Sequence, residues 1–164
     1  MSPLSAVAVF STEKACGGTV TVKGKSAEND VTGTFEEATE HIVPIYGLYN
    51  NDTTEVVITL DDGTSATFEV TTEDIGVDYG TIQTEMKSEA SYDYSNLTFV
   101  CSTMGTLYGV DAAGDIRFFT NIGGTLGVHQ LENGHLLMPA SYVLKSSYYK
   151  EGMIEVDLLG KIYR

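Results

Sequence analysis

The chain has 164 residues, 42% of them hydrophobic, and a formal net charge of −14. That is enough apolar material for one ordinary domain, or for one small domain and part of another. The acidic excess argues against a nucleic-acid partner, since phosphate-backbone binding is driven by Lys and Arg, and no apolar run approaches the ~18 residues of a membrane span. The charge is uneven: residues 1–88 hold 15 acidic and 4 basic side chains, residues 89–164 hold 8 and 5. This shift suggests two units.

"PLSAVAVF" at the start is too short and lacks the basic flank of a signal peptide; an exported protein would carry its signal outside this sequence. "GTVTVKGK" alternates Val20 and Val22 with Thr19, Thr21 and Lys23, the pattern of a half-buried strand. "TFEEATEHI", 34–42, has Thr34 and Glu37 at capping-box spacing, with Phe35, Ala38 and Ile42 able to share a face ahead of Pro44. It reads equally as a short helix of one or two turns, a loop or an irregular strand. "EVVITL" and "SATFEV" flank the turn "DDGT" at 61–64, a hairpin in which Val57, Phe68 and Val70 would help to fill one face. The expected fold is all-β: a small N-terminal β-sandwich over residues 1–88, with polar residues 73–96 as its connection onward.

From residue 97 the rhythm changes. Hairpins are expected near Ala113-Gly114, Asn133-Gly134 and Gly160. "YGVDAAGDIRFF" is echoed by "IEVDLLGKIYR": Val110, Asp111, Gly114 and Ile116 match Val156, Asp157, Gly160 and Ile162 at one offset of 46 residues. Two hairpins per period supply about four strands, the signature of a β-propeller blade. Residues 89–164 are therefore expected to form the first four-stranded blade, with antiparallel sheet over 97–164, and the start of a second. Propellers typically close with 4–8 blades, so the chain reads as a piece of a longer protein. Uncovered blade edges predict a homo-oligomer.

Few residues carry chemistry. His41 reads as a hydrogen-bonded structural residue; His129 and His135 flank the Asn133-Gly134 turn without the further ligands a metal needs. "GGTLG" at 123–127 is followed by no helix signal, so no phosphate cradle is expected. Cys16 and Cys101 lack CxxC spacing and lie in different units, which favours free thiols over a disulfide. Cys101 reads as a strand-core residue rather than a nucleophile. The ten tyrosines read as sheet packing. "NDT" at 51–53 and "NLT" at 96–98 are glycosylation sequons by pattern alone. No residue is assigned a catalytic, cofactor-binding or metal role.

"PLSAVAVFSTEKACGGTVTVKGKS", "HIVPIYGLYNNDTTEVVITLDDG" and "GDIRFF…LENGHLL…EVDLLGKIYR", in that order, resemble the bacterial arylsulfate sulfotransferase family across nearly the whole chain. The resemblance implies a β-sandwich followed by a six-bladed propeller, and export to the periplasm or cell surface. It implies, for the full protein, transfer of a sulfuryl group from a phenolic sulfate donor to a phenol acceptor through a histidine intermediate, without a cofactor. In the family, paired histidines precede an L-P-N-G-N-like turn. Here that turn is "LENGH", 131–135; Thr125 and Leu126 stand where the histidines would fall, and His129 is out of register. Arg117 and Arg164, the two arginines, sit beside hairpin turns rather than in an identifiable pocket. This piece is thus expected to be inactive alone. The competing reading is a non-catalytic exported sandwich/propeller binding module. A quinone-dependent propeller dehydrogenase is disfavoured, because its blade motifs typically carry Trp and this chain has none.

Overall fold

The computed structural model describes residues 2–78, 97–101, 106–122, 127–140 and 152–163. Its N-terminal unit contains β1 (Ser5–Val22), a three-residue 3-10 turn (Ala27–Asn29), β2 (Val31–Tyr46), β3 (Thr53–Leu60) and β4 (Ser65–Thr71). All pairings are antiparallel, in the order β2-β1-β3-β4. The segment 34–42 is strand, not helix: Phe35 lies opposite Gly18, and Glu40 opposite Ser11. Partners from β1 satisfy the backbone there, so capping-box spacing finds no helix to cap. Pro44 is tolerated because β2 is an edge strand.

The sandwich arises by folding one ribbon over on itself. Extended chain rises about 3.3 Å per residue, so a straight β2 would hold Val31 and Gly47 about 50 Å apart. Instead, a Cβ added to Gly47 would lie 3.0 Å from Cγ2 of Val31. The register of the β1–β2 pair is irregular between Ser11 and Cys16 and again between Cys16 and Gly18. Bulges of this kind bend strands and let them pass from one layer to another. One layer pairs 5–11 with 40–46; the other holds 18–22, 31–35, β3 and β4. Val43 and Ile45 from the first layer meet Val20, Val22, Val56 and Ile58 from the second in a single core. The expected inward face of β3 is off by one residue. Phe68 pairs with Val56, and Val56 and Ile58 are buried, while Val57 is only half-buried. With a side-chain period of two, Val57 cannot share their face.

The remaining strands are β5 (Thr98–Cys101), β6 (Leu107–Val110), β7 (Ile116–Thr120), β8 (His129–Gln130), β9 (Leu136–Ala140) and β10 (Gly152–Val156). Among the described residues they make two antiparallel sheets, β5-β6-β7 and β8-β9-β10. A bridge from Val156 to Ile162 gives the second sheet a fourth strand position. The chain leaves the first sheet after β7, so the β6–β7 and β8–β9 hairpins belong to different sheets. The expected boundary at 88/89 lies outside the described residues.

β6 and β7 are buried along their whole length. Tyr108, Val110, Ile116 and Phe119 join the N-terminal core. Leu107 and Phe118 instead join Leu136, Met138, Ile154 and Val156 of the second sheet. A sheet covered on both faces needs no polar alternation, which is why the adjacent Phe118 and Phe119 are both buried.

Candidate functional site

Four hairpin loops share one construction. In each, residue i donates its N–H to the carbonyl of i+4, and the glycine at i+3 donates back to the carbonyl of i. The residues i are Leu60, Asp111, Leu131 and Asp157, with bonds of 2.8 to 3.0 Å. The glycines Gly63, Gly114, Gly134 and Gly160 have φ of 88°, 87°, 80° and 89°. This is a three-residue hairpin loop closed by a left-handed glycine, a conformation that costs a side-chain-bearing residue dearly.

The two copies of the repeated phrase go further. Asp111 Oδ1 accepts from the N–H groups of Ala113 and Asp115, each at 3.0 Å. Asp157 Oδ1 accepts from Lys161 N at 2.8 Å. In both copies Oδ2 turns to the side chain six residues on: Arg117 Nη1 at 3.0 Å from Asp111, and Tyr163 Oη at 3.1 Å from Asp157. The sequence repeat is therefore a repeat of structure, and its aspartates are turn-formers. Ile116 is buried, whereas its counterpart Ile162 is 44% exposed.

Arg117 is fully buried and fastens the two units together. Its Nε donates to the carbonyl of Gly47 at 2.6 Å and its Nη1 to that of Asn29 at 2.9 Å. Nη1 also lies 3.0 Å from Tyr49 Oη, and the guanidinium sits 3.9 Å from the centre of the Tyr49 ring. Only Nη2 is buried without a partner. Lys25 Nζ reaches Asp115 Oδ1 at 2.7 Å on the rim, which holds the lysine ammonium above its usual range. That pair is exposed and contributes little to stability. The guanidinium is thus committed to a structural node.

Both tyrosines of "PIYGLY" face the repeated turns. Tyr49 Oη donates to Asp111 Oδ2 at 3.4 Å. Tyr46 is pushed up to about 12 by burial, reinforced by the charge of Asp157. A raised phenol stabilises the fold fully below the ordinary tyrosine range, and the contribution is lost as pH rises toward 12. Thermal melts should show a loss of stability between about pH 10 and 12, and Tyr46→Phe should reduce it; identical profiles would remove Tyr46 from this role.

A second polar cluster surrounds the Asn133-Gly134 turn. His135 Nδ1 lies 2.8 Å from Glu155 Oε1, and Asn133 Nδ2 donates to the same oxygen at 3.3 Å. The imidazole stacks on Tyr163 with ring centres 4.6 Å apart, and Lys161 Nζ lies 4.7 Å from the centre of that ring. A carboxylate on Nδ1 orients an imidazole in the manner used by bases and metal ligands. Among the described residues, however, no group of three His, Cys, Asp or Glu side chains could hold a metal ion. The cluster ties the turn, β10 and Tyr163 together.

His41 is buried between Phe10, stacked at 4.6 Å, and Phe35, edge-on at 5.2 Å, with Thr12 Oγ1 3.4 Å from Nε2. It is a core residue with a polar partner, as the sequence suggested. His129 is exposed on β8 opposite Leu137, in the same hairpin as His135. Cys16 and Cys101 are free thiols, and burial pushes the Cys101 thiol up. Asn51 of the first sequon is exposed, with φ of 52°. Thr125, Leu126, Asn96, Arg164 and most of 123–127 lie outside the described residues. The His135–Glu155 pair, twenty residues apart, had no sequence signal beyond the hairpin itself.

An all-β chain results, with a two-layered N-terminal unit docked through Arg117 and Tyr49 onto repeated glycine-closed hairpins. Residues 1–79 match the family model of the arylsulfotransferase Ig-like domain. The match spans a little under half of the chain and supports an N-terminal domain of the arylsulfate sulfotransferase type over residues 1–79. No curated protein and no solved structure matches it. No helix among the described residues is long and apolar enough to cross a membrane.

Proposed function

We propose that the chain supplies the N-terminal part of an exported arylsulfate sulfotransferase, with residues 89–164 contributing the first propeller blade and the start of the second. The observation that carries this reading is the family match over residues 1–79, in a unit packed against hairpins that repeat at a blade-length offset. The reaction moves a sulfuryl group from a phenolic sulfate ester to a phenol. The bond from sulfur to the donor oxygen breaks as one to a histidine nitrogen forms, and the acceptor oxygen then displaces the histidine.

The role of this chain in that reaction is architectural. Arg117 is sealed in its node, and His41 is held in the aromatic core. The Ig-like unit fixes the spacing of successive hairpins by gripping Asp111 through Tyr49 and lying beside Asp157 through Tyr46. Donor and acceptor would be bound by groups converging from several blades.

The test is release of nitrophenolate from 4-nitrophenyl sulfate in the presence of phenol. The purified 164-residue chain should be silent, and the product of the full reading frame should turn over. Turnover by the 164-residue chain that is lost on His129→Ala or His135→Ala would overturn the architectural reading.

A further inference from the structure

The Ig-like unit carries a groove that the sulfotransferase reading does not use. It lies between the two layers of the folded ribbon. Ala8, Phe10 and Thr12 of β1 form one wall, and Leu60, Ala66 and Phe68 of the β3–β4 hairpin form the other. Its volume of about 440 Å³ falls in the range of binding clefts and would accept a few aliphatic side chains.

Three observations define what fits. First, among the described residues backbone pairing is missing on one side. β3 pairs with β1 only over 18–22, so residues 5–11 have β2 on one edge and no described strand on the other. That layer is only two strands wide, a marginal arrangement that an added strand would complete. Second, the layer is apolar on both faces. Ala6, Ala8 and Phe10 pack inward, while Val9 and Ile42, directly paired, are 72% and 76% exposed. Third, the surroundings are acidic. Glu13 follows Thr12, Glu40 sits opposite Ser11, and Asp61 and Asp62 follow Leu60. None of these four has an ion-pair partner among the described residues. Lys14 is the only basic residue in 1–22, while Lys23 and Lys25 are tied to Asp30 and Asp115.

We propose that this groove receives an extended segment of a partner protein by β-strand addition. The segment alternates aliphatic residues, which enter the groove, with Lys or Arg, which meet the acidic rim. Main-chain hydrogen bonds to the free edge of β1 supply affinity, and the alternation supplies specificity. A second copy of this chain is disfavoured as occupant, because the same acidic face would have to meet itself.

The experiment uses the whole chain and two acetylated, fluorescent nine-residue probes, one alternating Val with Lys and one alternating Val with Glu. The Val/Lys peptide should bind, and weaken as salt is raised. Ala66→Arg, which places a cation on the exposed wall, should weaken binding by about tenfold, equivalent to ~1.4 kcal/mol. Thr67→Arg, on the opposite face of β4, should change it less than about twofold. Independently of any variant, the Val/Lys peptide should slow amide exchange across Ala8–Thr12. Equal binding of the Val/Glu peptide, no binding of either, or equal effects of the two substitutions would each overturn the proposal. So would a dimer that Ala66→Arg dissociates, since the occupant would then be a second copy.

Discussion

Arg117→Met should lower the stability of the chain by about 3–5 kcal/mol, the usual cost of breaking a buried ion pair by removing one partner. The replacement fills much of the space, so the loss is mainly electrostatic. Asp111 is left 3% exposed with its charge uncompensated, and the carbonyls of Gly47 and Asn29 lose their donors. Asp111→Asn keeps an oxygen for the turn N–H groups while removing the charge. Introduced beside Arg117→Met, it should therefore recover part of the loss, and the two changes should not be additive. Denaturant unfolding of the four proteins measures both quantities. A single substitution costing less than about 0.5 kcal/mol, the range of ordinary surface changes, would mean the node does not hold the units together.

Phe118→Ala should cost a similar ~3–5 kcal/mol, from lost burial plus the cavity left behind. Phe118 is 3% exposed and meets Phe99 edge-on at 5.7 Å, and it packs among Leu136, Met138 and Ile154 of the second sheet. Val9→Ala, at a position 72% exposed, should stay within about 0.5 kcal/mol. Equal effects of the two would contradict the burial of the middle sheet. Urea unfolding of both variants decides it.

Much of this fold was legible from residue order. Alternation at Val20 and Val22, the turn glycines, and the repeat of Val110, Asp111, Gly114 and Ile116 all carry local signals, because strand period and left-handed turns are local requirements. The bend of the β1–β2 ribbon was not legible. Phe35, Ala38 and Ile42 also fit a helical face, and only pairing with β1 decides between the two conformations. In the sequence, Arg117 is a guanidinium beside a turn. Its partners come from residues 29, 47, 49 and 111, and a charge with distant partners looks in sequence like any surface charge. The His135–Glu155 pair was hidden for the same reason, since it depends on the pairing of β9 with β10.

The central claim is that the Ig-like unit and the repeated hairpins form one body, joined through Arg117. Native-state amide exchange tests it most directly, by comparing residues 18–22 in the Ig-like sheet with residues 116–120 in β7. Closely similar opening free energies are expected for the two segments, both reduced together by Arg117→Met. Protection that survives at 18–22 while it collapses at 116–120 would contradict it.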